Sequence, residues 1–267
     1  MHIKLLKKVK FSPRDNRMKK VGNVKNAIKH FKSNLNLRFL LRNRFKWMND
    51  FINKNDKGIE VGAGAGFSKY FISNKNFKIT DLANYAHLDY KNVDAQKTKF
   101  SSNSFNFIIA VNMIHHVPFP IKFFYEMNRI LKKGGKLIIQ EANCSIIFQL
   151  ITILMKHEGF DFTKNVWSKK IPLSKTDDIW AGNIAVPHLV FDNLKEFNKN
   201  LGHIFRIKHQ KFYECFIFLN SGGVSSKTIY IPLNNFFLKL FNFVDNVLTR
   251  LFPNIFAMGR QIVLEKL

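Results

Sequence analysis

A glycine-rich loop between a predicted strand and a predicted helix constrains the fold more than any other feature of the sequence. Gly62, Gly64 and Gly66 lie between the apolar segment 58–61 and the helical pattern of 67–72. Glycines at such a turn permit a tight bend and let a ligand approach the backbone, while the start of the helix offers amide N–H groups. The loop therefore predicts a binding site for a nucleotide-like ligand.

An acidic residue, Glu60, stands at the entrance of this loop. A carboxylate there repels an anion such as a pyrophosphate and attracts a cationic group. This position disfavours a nicotinamide oxidoreductase, and the sequence has no hydride-transfer signature. A ligand that carries a positive charge fits better.

The pattern along the chain predicts an α/β fold. Short apolar runs alternate with helical stretches between Lys57 and Asn143, which is typical of a parallel sheet covered by helices. We predict a Rossmann-like, doubly wound, mostly parallel seven-stranded sheet with helices on both faces, a basic N-terminal arm and a C-terminal cap elaboration. The predicted strands are Gly58–Val61, Phe77–Asp81, Asn92–Val93, Phe105–Val111, Lys136–Glu141, Phe212–Leu219 and Gln261–Glu265.

The chain divides into three predicted regions. Residues 1–56 form a basic arm, irregular to about residue 30, followed by one or two lead-in helices. Residues 57–145 form the ligand-binding core, in which helix 123–131 stops before Gly134-Gly135. Residues 146–267 begin with an apolar helix that ends near Lys156, complete the sheet and wall off an acceptor pocket.

The run Phe236–Phe252 is amphipathic and admits two interpretations. It could lie on a membrane surface, which requires a cationic flank, yet its cations are only Lys239 and Arg250, against Asp245. We therefore favour packing of this run against the sheet. None of the apolar runs reaches the roughly 20 residues of a membrane span.

Charge is concentrated at the N-terminus. The chain has a net charge of +25, and residues 1–57 hold 17 lysines and arginines against three acids. Such a segment attracts RNA, anionic lipid or a lipid-linked glycan. The abundance of Lys, Asn, Ile and Phe, typical of an A/T-rich genome, explains the same charge without any partner. Both explanations stay open.

The region from Lys57 to Asn143 resembles the class I S-adenosylmethionine-dependent methyltransferases, specifically the branch called methyltransferase type 11. That family has an acidic-x-Gly-x-Gly-x-Gly loop after its first strand, which Glu60 and the three glycines match. The resemblance implies that S-adenosylmethionine is the cofactor and that the loop, including Ala63, lines its methionine and ribose parts. Asn106 and Lys133 replace the Asp and Pro usual in the family.

Three further polar positions are assigned to the cofactor. Asp81 stands 21 residues after Glu60, the spacing of an acid that binds ribose hydroxyls in such folds, although it would also suit a helix cap. The resemblance places Asp94, followed by Ala95, at the adenine amino group, with an ordinary turn as the alternative. It also places Asn112 beside the cofactor.

Two histidine-containing segments are candidates for catalysis. His115-His116 follows the fourth predicted strand, where ligands of open α/β sheets bind, and either imidazole could accept a proton from an acceptor hydroxyl. We assign the role to His116 and, as a second candidate, to His157. No third ligand is placed by spacing, so we predict no metal. Segments 177–183 and 220–223 suit acceptor-binding loops or plain turns.

The predicted function is S-adenosylmethionine-dependent O-methylation of a small, glycan or lipid-linked acceptor. A tRNA base methyltransferase and a cofactor-binding protein without catalysis are the alternatives, and nucleic acid is not the favoured partner. Cys144 and Cys215 show no redox or zinc spacing, and no secretory signal follows the basic start. We expect a cytoplasmic protein, with peripheral contact at an anionic inner membrane face left open.

Overall fold

The computed structural model describes residues 4–10, 24–156, 158–174, 176, 178, 181–224 and 227–267. The strands are β1 (Lys8–Val9), β2 (Gly58–Val61), β3 (Phe77–Ile79), β4 (Phe105–Val111), β5 (Leu131–Ala142), β6 (Phe160–Asp161), β7 (Phe205–Tyr213) and β8 (Gly259–Lys266). The α-helices are α1 (Val24–Ser33), α2 (Leu35–Phe45), α3 (Pro120–Ile130), α4 (Ile146–Met155), α5 (Val186–Phe191), α6 (Leu194–Leu201), α7 (Phe216–Leu219), α8 (Asn235–Leu251) and α9 (Pro253–Phe256). Short 3-10 turns occur at Lys46–Phe51, Phe67–Tyr70 and Ile114–His116.

A six-stranded sheet forms the centre of the molecule, in the order β3-β2-β4-β5-β8-β7. The first four strands are parallel, and β8 runs antiparallel between β5 and β7. The predicted Rossmann-like, mostly parallel α/β fold is confirmed. The predicted number of strands was wrong, because the described residues place six strands in this sheet, and β1 and β6 pair separately.

The predicted strand at Asn92–Val93 does not form. Asn92 has a φ of 54°, a left-handed conformation that interrupts an extended chain. Thr80 instead forms an isolated parallel bridge with Tyr90, and the Val93 amide donates to the Asp81 carbonyl at 2.9 Å. The chain thus crosses the end of β3 without adding a strand.

The predicted strand Phe212–Leu219 is a strand only in its first two residues. Glu214 has a φ of 51°, which ends β7, and the chain then turns into α7. The Asp245 carboxylate accepts the amides of Cys215, Phe216 and Ile217 at 2.9, 2.9 and 3.0 Å. A side chain about thirty residues away thereby fixes a helix start that an apolar run alone cannot indicate.

The sheet is buried on both faces, because alternate residues of each strand point to opposite sides. Ile108 and Ile139 belong to one apolar cluster, while Ile109 and Ile138 belong to the other. Helices α3 and α6 contribute to the first cluster, and α2 and part of α8 contribute to the second. Both faces of the sheet are therefore covered, as the largely apolar sequence of β4 predicts.

The N-terminal region has more regular structure than predicted. Helix α1 begins at Val24, inside the segment expected to be irregular, and β1 pairs with β6. Asn34 separates α1 from α2, and its side-chain oxygen accepts the Leu37 amide at 3.1 Å. An N-cap asparagine of this kind starts a new helix after a one-residue break.

Helix α8 departs from the expected packing. Its buried residues are Leu238, Asp245 and Thr249, whereas Phe236 and Phe243 are 68% and 66% exposed. The helix contacts β7 and α7, so the predicted packing of this run against the sheet is found, but the contact is made mainly through a polar side and the apolar side faces outward. None of the helices in the described residues is long and apolar enough to span a membrane.

Candidate active site

The glycine loop leaves β2 in a left-handed conformation at three points, with φ of 70° at Gly62, 52° at Gly64 and 73° at Gly66. A Cβ atom at Gly62 would lie 2.9 Å from the Met113 Cβ, so close packing requires glycine there. Apart from its chain neighbours, no atom of the described residues lies within 4 Å of the Cβ position of Gly64, which lines a cavity. The backbone at Gly64 is thus open to a ligand.

Asp81 connects this loop to the end of β3. Its Oδ2 accepts the Gly64 amide at 2.8 Å, and its Oδ1 accepts the Ala83 amide at 2.8 Å. Each carboxylate oxygen has a second lone pair, so both can still accept from a ligand. Asp81 therefore holds a turn and does not cap a helix, because no helix begins among residues 82–104, and its free lone pairs are compatible with the binding prediction.

Glu60 is buried at the end of β2, and Ser68 donates its hydroxyl to the carboxylate. Burial, together with the nearby charge of Asp81, raises the pKa of Glu60 to about 8 in spite of the Ser68 bond. A buried carboxyl group with a raised pKa is neutral at pH 7. A cationic group placed beside it would favour ionisation and restore the negative charge.

Asp94 and Asn112 stand at the same carboxyl edge of the sheet. Asp94 Oδ1 accepts the amide and the side-chain Nε2 of Gln96, at 2.8 and 3.2 Å. Asn112 has a φ of 48°, and its amide donates to the Gln140 carbonyl at 2.8 Å. The left-handed turn at Asn112 redirects the chain as it leaves β4, and asparagine tolerates this conformation better than most residues.

A cavity of about 390 Å³ joins these groups. Its lining includes eight of the nine predicted cofactor residues: Glu60, Gly62, Ala63, Gly64, Asp81, Asp94, Ala95 and Asn112. Gly66, the ninth, does not line it. A Cβ there would lie 2.9 Å from Ile79 Cδ1, so Gly66 permits the turn to pack on β3.

Several cavity residues were missed by the sequence analysis because they come from distant segments. Arg44 and Phe45 of α2, Tyr85, Thr176 and Val224 all line the cavity. None belongs to the glycine loop or to a motif that continues it. The amphipathic pattern of α2 predicted a helix but could not indicate which residues face the cavity.

Arg44 forms a buried ion pair with Glu214, the residue that ends β7. Its Nε and Nη2 donate to the two carboxylate oxygens at 2.9 and 2.6 Å, and its guanidinium lies 4.8 Å from the Phe218 ring centroid. Both side chains are less than 5% exposed. This bidentate pair ties α2 to the C-terminal half of the sheet at the cavity wall.

The two adjacent histidines have different surroundings. His115 is buried, its Nδ1 lies 2.6 Å from Glu141 Oε2, and its Nε2 lies 3.6 Å from Glu158 Oε2. Glu141 Oε1 accepts the amides of Met113 and Ile114 at 2.7 and 2.6 Å. Glu141 therefore holds the whole turn after β4 in place.

These surroundings shift the two imidazole pKa values in opposite directions. Burial lowers the pKa of His115, but the charge and hydrogen bond of Glu141 outweigh it and raise the pKa to about 9. Burial and the neighbouring positive charge of His115 lower the pKa of His116 to about 4. At neutral pH, His115 is a cation and His116 is a neutral imidazole at the cavity.

The fold brings Glu158 beside the two histidines, as a third possible metal ligand that the sequence spacing did not place. Candidate ligand atoms of His115, His116 and Glu158 all lie within 4.8 Å of one another. Both ring nitrogens of His115, however, already face carboxylates. An imidazolium between two carboxylates accounts for the cluster as an ion pair.

The second catalytic candidate, His157, lies outside the described residues. The neighbouring acceptor-loop predictions are partly described. Thr176 and Asp178 line the cavity, and Gly182 packs so closely on His116 that a Cβ would lie 2.9 Å from its Nδ1. In segment 220–223, Gly222 packs on Asn34 and Tyr230, and Val224 just beyond it reaches the cavity.

S-adenosylmethionine fits this donor set. The cavity provides carboxylates for hydroxyl and amino groups at Asp81 and Asp94, an ionisable acid at Glu60 for positive charge, and open backbone at Gly64. Its volume lies within the range of small-molecule sites, roughly 300–1,000 Å³. These are the chemical features that a charged adenosyl sulfonium requires.

Comparison with known proteins gives matching results. Residues 59–139 match the family model described as a methyltransferase domain, type 11. No curated protein matches the chain. A SAM-dependent methyltransferase from Archaeoglobus fulgidus is 15% identical, with a TM-score of 0.49 over 85% of this chain and 93% of that one. Another from Thermotoga maritima is 15% identical, with a TM-score of 0.47 over 92% and 98%.

The family match covers the glycine loop, Asp81, Asp94 and the strands β3 and β4. The sheet order and the cavity at its carboxyl edge agree with that match. Residues 59–139 therefore match a methyltransferase domain of type 11, which supports an S-adenosylmethionine-dependent methyltransferase.

Proposed function

We propose that this methyltransferase transfers a methyl group to a hydroxyl of a small, glycan or lipid-linked acceptor, with His116 as the proton acceptor. When bound, S-adenosylmethionine supplies a methyl group on a positively charged sulfur, which is already an activated leaving group. The protein then needs to align the acceptor and exclude water. The observation that carries the proposal is a neutral imidazole at the wall of the cofactor cavity.

The cofactor roles follow from the groups in the cavity. Asp81 would accept from the ribose hydroxyls while it holds the loop through Gly64, and Asp94 would accept from the adenine amino group. Glu60 would face the positive part of the cofactor, and Asn112 would lie beside it. These residue roles are supported by the resemblance of the loop and strand ends to the family motif and by the family match over residues 59–139.

His116 suits a hydroxyl acceptor because it is unprotonated at neutral pH. As the hydroxyl oxygen bonds to the methyl carbon, the carbon–sulfur bond breaks and its electron pair stays on sulfur. The hydroxyl proton passes to the imidazole. Glu141 and cationic His115 hold the turn that positions His116.

A basic groove adjoins the cavity and favours a polar or anionic acceptor. It shares Asp94, Gln96, Pro118 and Thr176 with the cavity, and its cations are Lys97, Lys122, Arg129 and Lys169. Arg129 is paired with Glu126 at 2.7 Å, while the three lysines are exposed. This charge supports a glycan or lipid-linked acceptor that carries a phosphate or carboxylate.

The test is transfer of labelled methyl groups from S-adenosylmethionine to separated lipid, glycan and RNA fractions of the source cells. We expect label in the lipid or glycan fraction. His116→Gln should lower the transfer rate roughly 100-fold, the lower range for a general base, while cofactor affinity stays the same. Label in RNA alone would establish the tRNA alternative instead, and cofactor binding without label in any fraction would indicate a non-catalytic protein.

The pH profile tests the base separately. Because the pKa of His116 lies at about 4, the imidazole stays unprotonated as the pH falls from 8 to 6. The transfer rate should therefore be level over that range and fall only as the pH approaches 4. A rate that halves near pH 6.5 would show that another group, or a His116 with an ordinary pKa, takes the proton.

A further inference from the structure

Helix α8 presents its apolar side outward. Eight of its 17 residues are exposed apolar side chains, from Phe236 at its start to Leu251 at its end. At 100° per residue these eight positions cover one continuous arc of about 160°. A surface helix of a globular protein normally buries such an arc, so this helix has the reverse orientation.

Polar contacts hold the helix in this orientation. Asp245 is 1% exposed and caps the start of α7, and the Thr249 hydroxyl donates to the Asp245 carbonyl at 2.7 Å. Asn43 of α2 donates to the Asn242 side chain at 2.8 Å. The side opposite the apolar arc is therefore fixed to the protein by specific bonds.

The exposed apolar area extends beyond α8. Helix α9 packs against both α8 and α4, and α4 exposes Leu150, Leu154 and Met155. The Leu5 amide donates to the α4 residue Gln149 at 3.0 Å, which places the half-exposed Leu5 and Leu6 beside α4. We call the exposed apolar side chains of residues 5–6, α4 and α8 the apolar surface.

The charge around the apolar surface has one sign. The apolar surface lies within three fully described segments, 4–10, 146–156 and 227–256. Together they contain eight lysines or arginines, and all eight are exposed. Their one acid, Asp245, is buried. Lys239 and Arg250 lie next to each other at one edge of the apolar arc of α8, at helix angles about 20° apart.

We propose that the apolar surface docks on an anionic lipid bilayer. The apolar side chains would enter the boundary between headgroups and acyl chains, and the surrounding cations would meet lipid phosphates. A second copy of the chain is a poorer partner, because it would bring the same cationic surroundings into contact with themselves. The helix lies along the bilayer, since no described helix can cross it.

The apolar surface lies next to a segment that leads to the cavity. Val224 lines the cavity, and the described residues 227–234 lead to α8, which Asn234 caps by accepting the Phe237 amide at 3.1 Å. The same segment exposes Ile229 and Ile231, at 98% and 71%. Docking would therefore place part of the cavity mouth near the lipid. That this proximity helps the enzyme reach a lipid-linked acceptor rests on the proposed function.

The test measures sedimentation of the full chain with vesicles, without cofactor or acceptor. Vesicles of phosphatidylcholine are compared with vesicles of equal parts phosphatidylcholine and phosphatidylglycerol. We expect binding to the anionic vesicles that weakens with added salt, and much weaker binding to the neutral ones. Absence of binding to the anionic vesicles would overturn the proposal, whatever the outcome of the methyl-transfer assay.

Paired variants locate the surface. Phe236→Glu with Phe243→Glu should reduce anionic-vesicle binding by at least roughly tenfold, because two exposed apolar anchors are replaced by like-charged groups. Lys239→Glu with Arg250→Glu should reduce the preference for anionic vesicles. Leu194→Glu is the control, since Leu194 is 55% exposed on α6, a helix of the opposite sheet face.

The control should bind like the natural chain. Binding of the Phe236→Glu/Phe243→Glu variant equal to that of the natural chain would overturn the proposal. Sedimentation equilibrium of the natural chain and of the Phe236→Glu/Phe243→Glu variant tests whether a second copy of the chain, and not lipid, covers the apolar surface. A natural chain that dimerises, ignores vesicles and becomes monomeric in the double variant would show that a second copy covers this surface.

Discussion

The cofactor half of the sheet and its C-terminal half both hold charged side chains in place, but the cofactor half does so through contacts between residues close in sequence and the C-terminal half through contacts between distant residues. Asp81 bonds to Gly64 and Ala83, which are 17 and two residues away. Arg44 bonds to Glu214 across 170 residues. The Asp81 carboxylate faces an open cavity and can still accept hydrogen bonds from a ligand. The buried Glu214 carboxylate is instead paired with Arg44 through both of its oxygens.

This difference indicates separate tasks for the two halves. Charge on the cofactor side is available to a ligand, so its removal should weaken binding. Charge on the C-terminal side is satisfied by the protein itself, so its removal should weaken the fold. Four substitutions test that division, from the largest expected effect to the smallest.

Arg44→Met should have the largest effect on the C-terminal half. The substitution leaves Glu214 buried without its partner, which costs about 3–5 kcal/mol of unfolding free energy. Urea denaturation of the natural and variant chains measures the loss. The double variant Arg44→Met/Glu214→Leu should recover much of it, since no lone charge remains. A loss below about 1 kcal/mol for the single variant would contradict a structural role for the pair.

Glu60→Gln should change stability in a pH-dependent way. The pKa of Glu60 is raised to about 8, so the folded state holds a proton that the unfolded state releases near pH 4.5. The natural chain therefore loses stability as the pH rises from 4.5 to 8, and Glu60→Gln lacks this loss. Between pH 5 and pH 9 the variant without cofactor should gain about 4 kcal/mol of stability over the natural chain.

Thermal unfolding at pH 5 and pH 9 measures this difference, which should be small at pH 5. The same variant should bind S-adenosylmethionine more weakly than the natural chain at both pH values. Equal stabilisation at pH 5 and pH 9 would show that the gain does not come from ionisation of Glu60.

Asp81→Ala should weaken S-adenosylmethionine binding by roughly 1.5–3 kcal/mol, since charge-assisted bonds to the ribose hydroxyls are lost. Titration calorimetry measures the change, and Asp81→Asn, which keeps one acceptor oxygen, should lose less. Asp81 also holds the Gly64 amide, so unfolding of both variants is measured alongside. Unchanged affinity would remove Asp81 from the cofactor site.

Asp245→Ala should give the smallest of the four effects, a loss of about 1–2 kcal/mol in unfolding free energy, the range for removal of a helix cap, because the amides of Cys215, Phe216 and Ile217 at the start of α7 lose their acceptor. Cofactor affinity should stay within error of the natural chain. A loss of affinity without a loss of stability would break the division between the two halves.

The cofactor half was largely predictable from the sequence, because its signals lie within single turns. The strands Gly58–Val61 and Phe105–Val111 were predicted to the residue, and eight of the nine predicted cofactor residues line the cavity. Two of the errors fall where a left-handed residue interrupts an apolar run, at Asn92 and Glu214, and a third is the missed strand at residues 205–211. An apolar run alone does not show where the chain turns.

The sequence by itself determined the α/β class, the glycine loop and the acids at the ends of its strands, because these depend on residue spacing over short distances. Only the tertiary structure decided the charge states of His115 and His116, the Arg44–Glu214 pair and the outward apolar side of α8. Each of these depends on burial and on partners far away in the chain. A pattern in sequence shows that a helix has two sides, but the contacts of Asp245 determine which side faces the protein.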